Sequence, residues 1–180
     1  MSTRAPVPRE APPPLSPSAQ RVQDALDAAG VASRVVEYAE PGRTSAEAAA
    51  VIGCAVAQIA KSLVFRAASG RPVLVIASGA NRVDEAKVAA VLGEAIGRAD
   101  PAFVRSATGY AIGGIPPLGH AQALVTLLDR DLLAHEVVYA AGGTPHAMFP
   151  LAPADLLRVS GGTAADVALF VSPQSSKDPP

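Results

Sequence analysis

Tryptophan is absent from this chain of 180 residues, cysteine occurs once, aromatic residues make up 4% and only three lysines are present. A lone thiol, Cys54, closes no internal disulfide, so the framework of a small secreted domain is missing. No apolar run approaches the roughly 18 to 20 residues that span a bilayer, and no basic segment leads into an apolar core near Met1. Both absences favour a soluble, cytoplasmic protein with no membrane partner. Charged residues amount to 17% with a net charge of −1, which excludes the broad basic face that grips duplex DNA and leaves only a focal contact with nucleic acid. His120, His135 and His146 show no i, i+4 pairing and Cys54 lies in a small apolar segment, so neither a metal nor another cofactor is expected. Missing too are the G-x-S-x-G elbow of a serine hydrolase and the lysine that would make Gly142-Gly143 part of a P-loop.

What is present fits one core, since 49% of the residues are hydrophobic and the length suits one domain. Met1 to Pro17 is dense in proline without apolar periodicity and reads as a disordered arm, followed by a folded domain over 18–170 and a flexible tail over 171–180. Ser16-Pro17 starts a helix that Gly30 ends. Thr44-Ser-Ala-Glu47 is a capping box for a helix over 45–52, closed by Gly53. Further helices are expected over 84–92, from Asp100-Pro101 to Gly109, and from Pro153 to Val159, where Asp155 helps the start. Strands are expected over 33–38, around Lys61, and over 72–77, 110–112, 123–128, 136–140 and 146–151. Hairpin-length links beside helical ones imply a mixed sheet, hence an α+β fold.

Two places draw chemical interest. The run Thr108-Gly-Tyr-Ala-Ile-Gly-Gly-Ile-Pro-Pro-Leu-Gly-His120 places an apolar segment before a loop in which Gly113, Gly114 and Gly119 permit positive φ while Pro116 and Pro117 stiffen the chain. Such a loop presents rigid backbone to a small polar group, although an ordinary strand-end turn has the same composition. The second is Lys61, at a helix-to-strand junction with apolar residues on both sides, in a chain that otherwise uses arginine twelve times. A compact ammonium fits a tight site that a planar guanidinium does not, and the alternative is an amine extended into water. Ser78 and Gly79 follow the apolar strand and either edge a pocket or turn the chain; His120 closes the Gly/Pro loop and either joins the site or braces the loop. His146 is open between proton transfer and an exposed strand position.

Taken in order, Thr44-Ser-Ala-Glu-Ala-Ala-Ala, Gln58-Ile-Ala-Lys61-Ser-Leu-Val-Phe65, Asn81-Arg-Val-Asp84 and Thr108 to Gly119 resemble the YbaK/EbsC family, also called the prolyl-tRNA synthetase associated domain, over about Ser18 to Ala168. The resemblance implies a single α+β domain with a mixed, barrel-like sheet flanked by helices. It implies a free-standing, metal-independent editing hydrolase that deacylates mischarged tRNA, tRNA-Pro carrying a small amino acid among the substrates. The partners implied are the 3′ aminoacyl end of that tRNA and an aminoacyl-tRNA synthetase. Lys61 takes the family's catalytic lysine position, and Gly113, Gly114, Ile115, Pro116 and Pro117 its Gly-x-x-x-Pro loop. With them, Gly119, His120, Ser78, Gly79 and His146 make up the expected substrate site. The rival is a module of the same fold that binds a nucleotide or aminoacyl ligand without turnover.

Overall fold

A computed structural model describes residues 13–170. The elements run α1 (Pro17–Ala28), β1 (Val36–Glu37), α2 (Ser45–Ile52), a 3-10 turn (Val56–Gln58), β2 (Ile59–Ala67), β3 (Pro72–Ser78), α3 (Glu85–Leu92) and β4 (Ile96–Arg98). There follow α4 (Pro101–Thr108), β5 (Val125–Asp129), a second 3-10 turn (Arg130–Ala134), β6 (Val138–Ala141), β7 (Ala147–Leu151), α5 (Pro153–Ser160) and β8 (Thr163–Ala165). Mixed pairing makes this the expected single α+β domain, its sheet ordered β1-β7-β6-β2-β3-β5-β8 with β4 also on β2. The sheet is open at β1 and β8 and forms no closed barrel.

Helix ends follow local chemistry. Thr44 and Glu47 complete their capping box, Asp84 and Asp100 cap α3 and α4, and Gly53, Gly93 and Gly109 adopt the left-handed conformation that ends α2, α3 and α4. Each side-chain cap is worth about 1 kcal/mol against alanine. Residues 1–12 of the expected arm and all of the expected tail lie outside the described residues. Leu15 packs against the core, the Ser16 amide donates to Glu37, and Pro17 opens α1, so these last residues of the arm belong to the fold.

β3 is the spine, with Val73 to Ala77 wholly buried between antiparallel β2 and parallel β5. Its alternate side chains divide the interior: Leu74 and Ile76 join α1, Tyr110, Ile115 and Phe149 on one side, while Val73, Val75 and Ala77 meet Val88 and Leu127 on the other. The β2 register carries this division over, placing Ser62 opposite Ile76 and Lys61 opposite Ala77.

Several expected strands differ. Residues 110–112 are not a strand: the Thr108 hydroxyl accepts from the Tyr110 amide at 3.0 Å, Tyr110 turns into the core, and Ile112 stands 58% exposed. The first strand contracts to Val36–Glu37, because the Val35 amide is taken by the Gln23 side chain at 2.8 Å. β4 and β8 add two short strands.

Candidate active site

The important irregularity is a gap in one ladder. On one edge, β2 pairs with β3 from Ala60 to Arg66 without interruption. On the other it pairs with β6 only at Ile59 and Ala60, then with β4 from Phe65 to Ala67. Lys61 to Val64 therefore lack a strand partner on that edge, and a cavity of about 340 Å³ lies there, with Lys61, Ser62 and Leu63 in its wall. Other parts of the wall come from the start of α2 (Arg43, Thr44, Ser45), from Tyr139 to Ala141 of β6, from Thr144 and Pro145, and from Ile112, Gly113 and Ile115. The capping box that fixes the start of α2 thus also shapes the cavity, a role that its sequence signature does not announce.

The fold brings Lys61 and the Gly/Pro loop to one cavity across about fifty residues of chain. Gly113 lines it with φ of +92°, a conformation that side chains rarely adopt. Gly114 does not line it; a Cβ there would stand 2.7 Å from the Thr144 Cα, so this glycine lets the loop press against the Gly143-Thr144 backbone. Pro116 and Pro117 are buried behind Ile115, and Gly119 takes φ of +74° further along.

The other expected residues stand outside the wall. His120 is partly buried with Nε2 2.7 Å from the Pro116 carbonyl, and so braces the loop; burial pushes its pKa down while the carbonyl acts the other way. His146 places Nδ1 3.0 Å from the Tyr38 carbonyl, tying β7 to the chain after β1. The Ser78 hydroxyl donates to the Ala57 carbonyl at 2.8 Å, and a Cβ on Gly79 would stand 2.8 Å from the Ser45 Cβ, so both lock the end of β3 to neighbouring elements.

Lys61 is half-buried, and its Nζ donates to the Asn81 carbonyl. Burial lowers its pKa; the charge of Asp129 works against that shift and Arg82 works with it. One of three ammonium hydrogens is committed to Asn81, leaving two for a ligand. Among the described residues, Arg43 and Lys61 are the charged groups of the wall, with no carboxylate and no histidine beside them. Such a lining attracts an anion or a carbonyl oxygen. The Ser62 hydroxyl beside Lys61 is the buried side-chain polar atom without a hydrogen-bond partner among the described residues. Among those residues no three His, Cys, Asp or Glu side chains gather to hold a metal, and no helix is long and apolar enough to cross a membrane.

Fold and site together define a small α+β domain with a cationic cleft opened by a gap in the ladder along β2. The chain belongs to the aminoacyl-tRNA editing domain family, whose sequence model matches residues 39–159. It is 46% identical to a candidate trans-editing enzyme for prolyl tRNA synthetase of known crystal structure, with a TM-score of 0.83 over 87% of this chain and 100% of that one. The crystal structure of hypothetical protein APE2540 is 31% identical, with a TM-score of 0.77 over 83% of this chain and 99% of that one. An uncharacterized Bacillus subtilis protein, YwhH, is 32% identical over 126 residues, 70% of this chain and 80% of its own.

Proposed function

We propose that the protein is a free-standing aminoacyl-tRNA deacylase that removes a small amino acid from mischarged tRNA, with tRNA-Pro as the carrier. The observation that carries this reading is the shared cavity, where Lys61, Gly113 and Ile115 meet in a wall that, among the described residues, has two cations and no carboxylate. Family membership and the likeness to a candidate trans-editing enzyme for prolyl tRNA synthetase support it.

An aminoacyl ester is already activated, so catalysis consists of positioning it and stabilising the charge that develops on its carbonyl oxygen. Lys61 contacts the 3′-terminal phosphate or the ester through its two remaining N–H groups, and Gly113 and Ile115 orient the aminoacyl group. Water adds to the ester carbon, the bond to the ribose oxygen breaks, and that oxygen leaves as the hydroxyl of free tRNA after taking a proton. With no histidine or carboxylate among the described residues of the wall, the proton passes through water or through the substrate's own neighbouring hydroxyl. A cavity of about 340 Å³ is at the low end for small-molecule sites and must also admit the ribose, which favours a small amino-acid side chain.

Purified protein incubated with a panel of mischarged tRNAs tests the proposal. Ester loss above the spontaneous rate supports the deacylase; saturable binding with no hydrolysis assigns the chain to the class of non-catalytic binding modules.

A further inference from the structure

We propose that Asp129, acting through Asn81, is the residue that positions Lys61 towards its substrate. Asp129 ends β5 and is 1% exposed, yet among the described residues no cation lies within ion-pair distance of it. It is held by hydrogen bonds alone: the Ser78 amide at 3.1 Å and the Asn81 side chain at 2.9 Å donate to Oδ2, and the Asp131 amide at 3.0 Å donates to Oδ1. Asn81 uses its second amide hydrogen on Asp131 at 2.8 Å, and its backbone amide bonds the Ser78 carbonyl at 2.9 Å. Asp129 therefore pins the turn after β3 at both ends and Asp131 adds a tie at the Asn81 end, with the Asn81 carbonyl accepting from the Lys61 amine.

A bare turn would serve to reverse the chain, and a buried carboxylate is a costly way to build one. Its place is explained by the half-buried ammonium that the same turn holds. Asp129 opposes the loss of the Lys61 proton that burial promotes, and the Asn81 carbonyl holds the amine in place at the end of β3. The charges that act on the amine are Asp129 from β5 and Arg82 from the turn after β3; Asp131 bonds the Asn81 side chain, and Arg43 lines the same cavity.

This inference rests on Lys61 being the substrate-contacting cation, and its test is separable from that reading. The chain has three lysines, so isotopic labelling of lysine side chains gives three resonances, with Lys87 and Lys177 as internal references. In Asp129→Asn the Lys61 titration is expected to move to lower pH, and the alkaline limb of kcat/KM to move with it. Asn81→Ala keeps the backbone carbonyl and removes the ties to Asp129 and Asp131; it is expected to fold and to lower kcat/KM at least about fivefold through loss of orientation. An unmoved Lys61 titration in folded Asp129→Asn overturns the proposal, as does wild-type turnover by folded Asn81→Ala. If wild-type protein shows no turnover, the deacylase reading fails while the titration still decides whether Asp129 governs Lys61.

Discussion

Lys61→Ala removes an ammonium whose surroundings allow its effects on folding and on catalysis to be separated. The amine makes one hydrogen bond, to the Asn81 carbonyl, and lies half-buried, so its removal relieves part of its own desolvation. Asp129 keeps its three donors from Ser78, Asn81 and Asp131. The folding cost should therefore stay within about 1 kcal/mol, the size of one net hydrogen bond. Catalysis loses a charged contact to substrate, worth about 1.5 to 3 kcal/mol, which is roughly a ten- to 150-fold fall in kcat/KM. Lys61→Arg should also be impaired, since a wide guanidinium cannot take the ammonium's place beside Asn81 without moving the turn. Steady-state deacylation of mischarged tRNA, with urea denaturation of each variant, measures both terms. A folded Lys61→Ala protein with wild-type turnover would refute the site assignment.

Gly114→Val should abolish activity and lower stability by at least about 2 kcal/mol, because its Cβ would meet Thr144 backbone that cannot yield, whereas Ala121→Val at an exposed position should be near neutral; denaturation and activity of the pair check this. His120 has a folded pKa below its ordinary value of 6.5, so its contribution to stability is complete above about pH 6.5 and is lost as pH falls through the folded value. His120→Gln, which keeps a donor for Pro116, should lose less stability between pH 7.5 and pH 5 than wild type, each measured by denaturant midpoint. The affinity for tRNA should fall with salt at a slope indicating roughly two to four neutralised phosphates. Arg43, Lys61 and Arg82 cluster near the cavity while Arg71 is ion-paired to Glu94, and a slope demanding eight or more would contradict so focal a footprint.

Local chemistry was readable in the sequence wherever it decides local structure. The Thr44-Glu47 box, the Asp100-Pro101 start and the closing glycines at 53, 93 and 109 each act within one turn of helix, and each helix stands where they place it. Strands decided by tertiary pairing were harder to see. Tyr110 to Ile112 has strand-like composition, but Tyr110 anchors the core and no neighbour offers a ladder; Ile96–Arg98 and Thr163–Ala165 are too short to show a period. The same limit applies to the site. Lys61 and the Gly/Pro loop stood out as unusual residues, yet the cavity they share arises from the gap between β6 and β4 along β2, which no local pattern encodes. The coupling of Asn81 to Asp129 spans 48 positions and depends on β3 lying beside β5.

The most direct measurement follows the release of amino acid from alanyl-tRNA-Pro and prolyl-tRNA-Pro, side by side, in EDTA and with increasing protein. The deacylase reading predicts that the alanyl ester is lost at a rate proportional to protein concentration, that the prolyl ester is spared, and that the chelator changes neither rate. Alanyl ester that survives at its spontaneous rate while the protein is saturated with the same tRNA would contradict it.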